Sequence, residues 1–358
     1  MGAHAPQAVP AQHPIHAGMV PWIRVPCMDV VPRGSFRVLC RPMYATRYRD
    51  IGIAAWDCRI GGLDAPAAWR AVAGSTRLAP ADGDLHRLLS DAARRPWEAV
   101  RSGPGLPAWG LSTSKGDPWA FTPRDAASAG PGLLGARIAR EFGTGTYVPC
   151  ATAAACSTGL YALLACADRL ADGTCSRGLA GAADGDLPPW LRAGFARMGV
   201  LCESGEPSAF DGRGSGFVPS PGAGVIALTR QPAPWRLVAG VRLGDAGHET
   251  HFVDPDTLRT ALASLWEELP EPDLIVAHAT GTALGDAYEL AGLESGPWRS
   301  APRLALKPLI GHTLGASGAV ELALALEAPV ERLWKLSLGF GGHLAAVACC
   351  RSERQALP

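Results

Sequence analysis

Residues 307–321 read Lys-Pro-Leu-Ile-Gly-His-Thr-Leu-Gly-Ala-Ser-Gly-Ala-Val-Glu. They follow a short apolar run over 303–306 and lead into an Ala- and Leu-rich segment, 315–327, that predicts a helix. Strand, glycine turn and buried helix form the repeating unit of an α/β sheet covered on both faces. Such sheets collect ligands and catalytic groups at the carboxyl ends of their strands. His312 falls there, and a histidine so placed can polarise a carbonyl or move a proton. It can equally be a satisfied histidine at a strand end. Lys307, five residues earlier, can anchor a carboxylate or fix the imidazole, or it can lay its stem along the surface with its ammonium in water.

The same rhythm extends outward. The run 273–277 predicts a buried strand and is followed by His278-Ala-Thr-Gly-Thr282, a second histidine at a strand end. Residues 333–338 and 344–349 flank Gly339-Phe-Gly-Gly342 as a strand pair with a glycine turn. Upstream, 51–56, 147–148, 178–183 and 225–228 read as strands and 65–101 and 135–142 as helical. The Gly/Pro-rich stretches 102–132 and 210–224 read as loops. Residues 157–171 place Leu160, Leu163, Leu164, Ala167 and Leu170 at helical spacing and stop at Asp172-Gly173. Cys156 opens this helix after a turn of small residues. A helix N-terminus favours thiolate over thiol and offers N–H groups to an oxyanion. The competing reading is a small core cysteine.

Lys+Arg and Asp+Glu both number 33, so the formal net charge is zero, which argues against a nucleic-acid partner. Only three of the basic residues are lysines: Lys115, Lys307 and Lys335. Lys335 reads as ordinary and Lys115 as a loop residue ahead of Cys156. No run of 18 apolar, charge-free residues occurs and no signal peptide is recognised, so the expected location is cytoplasmic. Ten cysteines without a CxxC pair fit reduced thiols. His248-Glu-Thr-His251 lacks the spacing of a helical metal site, so no metal is expected. Gly143-Thr-Gly145 and Gly212-Arg-Gly214 carry no phosphate-binding pattern.

Taken in order, the segments ACSTG (155–159), FDGRGSGF (210–217), PGAG (221–224), HATGT (278–282), KPLIGHTLGASGAVE (307–321) and GFGG (339–342) resemble the β-ketoacyl synthases of fatty-acid and polyketide assembly. The resemblance covers about 105–358. It implies a thiolase-like α/β fold: two similar αβαβα halves, each with a mixed five-stranded sheet, in five layers. The expected organisation is an irregular extension over 1–45, an N-terminal half over 46–230 carrying Cys156, and a C-terminal half over 231–358 carrying His278 and His312.

By the same resemblance Cys156 takes the acyl chain as a thioester. His278 and His312 promote malonyl decarboxylation, and Lys307 holds the charge network. Phe340 gates the pocket and shares an oxyanion hole with Cys156. Glu321, Gly341, Thr280 and Thr282 give structural support. No cofactor is implied. The implied partners are acyl carrier protein or CoA thioesters and a second ketosynthase-like subunit, in a homodimer or heterodimer. The chain departs from the family pattern at Ala279, at Ser215, in the segment Ser220-Pro221-Gly222-Ala223-Gly224 where the family has a glutamate, and at Leu338 and Leu344. It is short before the cysteine and between Glu327 and Trp334, so a small or open acyl pocket is expected, or one completed by a partner. The alternative functions are a non-condensing acyltransferase, a malonyl decarboxylase, or a partner subunit that sets chain length.

Overall fold

The computed structural model describes residues 45–352 except 82, 120–129 and 131. The extension expected over 1–45 lies, save Ala45, outside the described residues.

Ten strands form two runs of five in the same spatial order. The first run is β2 (Gly52–Ile60), β3 (Ala108–Ser112), β4 (Val148–Pro149), β5 (Arg177–Asp184) and β6 (Gly222–Thr229), arranged β4-β3-β5-β6-β2. The second is β7 (Trp235–Gly244), β8 (Leu274–Val276), β9 (Arg303–Leu304), β10 (Arg332–Gly339) and β11 (His343–Arg351), arranged β9-β8-β10-β11-β7. In each run the first and fourth strands are antiparallel to the fifth, and the second runs parallel to the third and fourth. The expected pair of mixed five-stranded sheets is therefore present, with one correction. The sheets are joined, because Gly52 and Ile53 of β2 pair with Arg236 and Trp235 of β7. A short strand β1 (Ala45–Arg47) pairs with β7 outside this order.

Helices complete five layers. The helix α2 (Leu85–Val100) covers the outer face of the first sheet, where Asp84 caps it by accepting the Arg87 N–H at 2.7 Å. The helix α6 (Pro255–Glu268) covers the second sheet. Between the sheets lie α4 (Thr158–Ala171) and α9 (Ser317–Ala325), each touching strands of both runs. All nine residues of α9 are buried, as are all residues of β5 and β6, where alanine and glycine let helices close on both faces. The remaining helices are α1 (Ala65–Ala73), α3 (Leu133–Glu141), α5 (Pro189–Arg197), α7 (Ala283–Glu294) and the single turn α8 (Lys307–Ile310).

The stretch 102–132 is not all loop. Ala108–Ser112 is a fully buried strand, β3, paired with β4 and β5. Its glycine- and proline-rich flanks, with its own Gly110 and Ser112, mask the three apolar residues Ala108, Trp109 and Leu111. The helices α5, α6 and α7 and the strand β7 have no counterpart among the elements expected from the sequence. No helix of the described residues is long and apolar enough to cross a membrane.

Candidate active site

Cys156 sits where the chain turns into α4 and is 8% exposed. Ala155 takes the left-handed conformation, φ +45°, and bends the chain so that the cysteine heads the helix. Ser337 on β10 donates its hydroxyl to the Cys156 carbonyl at 3.1 Å, and Ser157 donates to the His343 carbonyl at 2.7 Å. These bonds tie the turn to the β10–β11 hairpin. Phe340, in that hairpin's glycine turn, borders the same cavity as Cys156, and its backbone N–H draws the thiol pKa down.

The hairpin can approach only because residue 339 is glycine. A Cβ there would stand 2.7 Å from the Ala154 carbonyl oxygen and 3.1 Å from the Cys156 nitrogen. Gly339→Ala is therefore expected to displace the thiol and slow its modification by a thioester about 100-fold or more, since misplacement by about 1 Å suffices for that loss. Intact-mass kinetics would measure it. A rate within threefold of wild type would contradict the geometry.

His278 follows β8 and His312 follows α8. Their rings lie 5.6 Å apart, close to perpendicular, and both face the cavity that Cys156 borders. His312 has its Nδ1 within 2.8 Å of the Ser317 hydroxyl, and the edge of Phe217 packs on its ring at 4.6 Å. Its backbone N–H donates to the Val218 carbonyl at 2.7 Å and its carbonyl accepts the Ser220 N–H at 3.0 Å. The loop over 210–221 thus positions this imidazole.

The turn bearing His278 is held by charges on every side. The two oxygens of Glu289, on α7, accept the N–H groups of His278 and Ala279 at 2.6 and 2.7 Å. The Lys307 ammonium donates to the His278 carbonyl and lies 3.2 Å from His278 Nδ1. An ammonium can only donate, so Nδ1 is an acceptor and the ring proton sits on Nε2. Lys307 also binds Glu321 Oε1 at 2.7 Å. Glu321 Oε2 accepts from Lys335 at 2.6 Å. Lys335 is not the ordinary lysine its sequence suggests: it is fully buried. Lys115 pairs with Asp184, which also accepts the Gly315 N–H at 2.7 Å. All three lysines of the chain converge on this region.

Electrostatics follow from burial. Both imidazoles are held well below the ordinary histidine range, first by burial and then by Lys307, so both are neutral. The Cys156 thiol is pushed up to about 11 by burial, against the pull of Lys307, Lys115 and the Phe340 N–H. This corrects the expectation that the helix end would favour thiolate: desolvation outweighs the local dipole.

Ala279, where the family pattern has glycine, takes φ +48° and is fully buried. Ala279→Gly is expected to leave stability within about 1 kcal/mol, because relief of the left-handed backbone offsets the lost methyl contact. Ala279→Val is expected to cost about 1–3 kcal/mol, because a β-branched residue resists that conformation. Urea unfolding of the two variants distinguishes them.

The cavity holds about 240 Å³ and is walled by Phe195, Met198, Phe217, Leu338 and Phe340 beside the cysteine and histidines. It lies below the usual range of about 300–1,000 Å³ for ligand pockets. Thr280 and Thr282 line it with their hydroxyls 2.9 Å apart, and the Gly341 N–H donates to the Glu249 carbonyl at 2.7 Å. His251 also reaches the cavity, its ring centroid 3.9 Å from that of His248 and tilted 33° to it. Sequence reasoning missed Glu289, Lys335 and His251 as site residues. The one legible signal was a lysine inside an apolar strand.

Residues 111–233 match the family model for the N-terminal domain of β-ketoacyl synthase, and residues 245–339 match that for its C-terminal domain. The chain belongs to the β-ketoacyl synthase family. A relative, the mycocerosic acid synthase-like polyketide synthase of Mycolicibacterium smegmatis, is 30% identical over 298 residues, which is 74% of this chain and 14% of that one. The polyketide synthase ThaG of Burkholderia thailandensis is 33% identical over 232 residues, 58% of this chain and 4% of that one. The chain thus spans only a small fraction of the length of the curated relatives it matches. Among solved structures, the ishigamide ketosynthase/chain length factor superposes with TM-score 0.73 at 18% identity, covering 86% of this chain and 100% of that chain. A type II polyketide synthase acyl-carrier protein in complex with its ketosynthase gives TM-score 0.72 at 17% identity, with 86% and 100% covered. At these identities the likeness is one of fold, and it makes this member of the β-ketoacyl synthase family thiolase-like.

Proposed function

We propose that this chain is a condensing acyltransferase acting through Cys156. The observation that carries the reading is one cavity lined by a cysteine at a helix start, by Phe340 in the facing glycine turn, and by two neutral imidazoles. The thiol attacks an acyl thioester of carrier protein or CoA. Sγ–acyl forms, the donor leaves as a thiol, and the Phe340 N–H supports the oxyanion between them. A malonyl thioester then enters. His278, with its proton on Nε2, and His312 donate hydrogen bonds to the thioester carbonyl oxygen as CO2 leaves and an enolate forms. The enolate carbon attacks the acyl carbonyl, the Cys156–acyl bond breaks, and the sulfur recovers a proton. The product is a β-ketoacyl thioester.

The small cavity favours a second reading on the same residues, in which the acyl group is transferred or a malonyl group decarboxylated without chain extension. An acyl carrier protein is the proposed donor, and a second ketosynthase-like subunit the proposed partner. The test is intact-mass analysis after exposure to acyl- and malonyl-thioesters, with CO2 release followed in parallel and Cys156→Ala as control. Acylation with a condensed product supports the first reading, and acylation without one supports the second. Neither acyl-enzyme nor CO2 would sink both.

A further inference from the structure

Lys335 is a charged residue inside a buried central strand, Arg332–Gly339, flanked by Trp334 and Leu336. Its ammonium meets three oxygens: Glu321 Oε2 and the Leu336 carbonyl, both at 2.6 Å, and the Ala277 carbonyl at 3.2 Å. An ammonium stripped of water costs several kcal/mol unless such partners replace it. Its contacts are specific in where they fall. Ala277 is the last residue before His278. Glu321 uses one oxygen for Lys335 and the other for Lys307, which in turn holds the His278 carbonyl and Nδ1. Glu289 takes the N–H groups of His278 and Ala279. Every polar backbone atom from the Ala277 carbonyl to the Ala279 N–H is therefore engaged by a buried charge. One carboxylate and two ammoniums do this, and a second carboxylate, Glu321, bridges the ammoniums, so that the four charges cancel.

Two residues along the same face of β10, Ser337 holds the Cys156 carbonyl. One strand face thus reaches both the nucleophile's turn and the histidine's turn.

We infer that Lys335 is a positioning residue for His278: it aligns Glu321 toward Lys307 and pins the Ala277 carbonyl, so that the imidazole keeps its proton on Nε2 and presents that N–H to the substrate. The inference rests on the proposed function for what the N–H does, but not for how it is held. Burial and Lys307, against the pull of Glu321, bring the Lys335 ammonium down to about 8. The charged and titratable groups around it are Glu321 on α9, Lys307 on α8, Glu289 on α7 and His278 after β8, with His312 across the cavity. As pH rises through about 8, Lys335 loses its proton and the hold on the His278 turn weakens.

The test compares the full chain with Lys335→Met, which keeps the length of the side chain and removes its charge. Histidine side-chain nitrogen NMR is recorded from pH 6 to 9, with the His278 signal assigned through His278→Gln. Wild type is expected to show one neutral form protonated at Nε2, with a transition near pH 8. Lys335→Met is expected to show mixed tautomers and no such transition. Decarboxylation of a malonyl thioester is expected to fall about tenfold or more in the variant, as for loss of a positioned proton-donating group, while acylation of Cys156 stays within about threefold. Identical His278 spectra in the two proteins overturn the inference, whatever the turnover. Expected spectra with no CO2 release from wild type would leave the positioning role standing and count against the proposed function. Should Lys335→Met fail to fold, Lys335→Gln is put through the same comparison, and a His278 spectrum identical to that of wild type overturns the inference.

Discussion

Glutamine in place of Glu321 is expected to destabilise the fold by about 3–5 kcal/mol, the range for removing one partner of a buried ion pair. Here the loss falls on two cations at once. Lys307 and Lys335 are 2% and 0% exposed, and each has a carboxylate oxygen of Glu321 as its only anionic partner within bonding distance among the described residues. The helix carrying Glu321 is buried along its whole length, so no water stands ready to replace the charge. Urea unfolding at neutral pH measures the effect. Glu98→Gln is the control: its pair with Arg101 is exposed and its removal is expected to leave the midpoint unchanged. A Glu321 variant as stable as wild type would show that the two ammoniums are neutral or hydrated in solution.

Cys156→Ala is expected to abolish the acyl-enzyme and to lower any condensation by about 10⁴-fold or more, as removal of a nucleophile does in covalent catalysis. The pH dependence of the intact thiol gives a sharper check. With the thiol at about 11, the reactive thiolate is a small fraction at neutral pH. That fraction grows with rising pH so long as pH stays below the pKa. Alkylation of Cys156 by iodoacetamide is therefore expected to accelerate about tenfold per pH unit between pH 7 and 9. A rate already flat above pH 7 would mean that Lys307, Lys115 and the helix end outweigh burial.

What the sequence disclosed was what local pattern controls. The helix after Cys156, the strand end before His278, and the glycine hairpin around Phe340 are each written in adjacent residues, and all meet in one cavity; His312 was expected at a strand end as well, but the single turn α8 stands between it and β9. The strand β3 was hidden because its three apolar residues are interrupted by Gly110 and sit between glycine- and proline-rich flanks that dominate any window drawn over them. Lys335 and Glu289 were hidden for another reason. Their partners are set by which face of β10 or α7 turns inward, and a lone charge in sequence carries no record of that. The thiol was misjudged because a helix dipole acts within one turn, whereas desolvation depends on everything the fold packs around the sulfur.

The placement of the lysines reaches beyond catalysis. The chain has only three, and their side chains are 22%, 2% and 0% exposed for Lys115, Lys307 and Lys335. The outer surface of the folded protein thus presents almost no ε-amines. Amine-directed cross-linkers, reductive methylation and succinimidyl dyes will find little to react with beyond Lys115, which makes that side chain a nearly singular handle in the region of Cys156. An acidic macromolecule that docks here will meet guanidinium groups in place of ammoniums: planar, permanently charged and able to grip a carboxylate or phosphate with two parallel bonds.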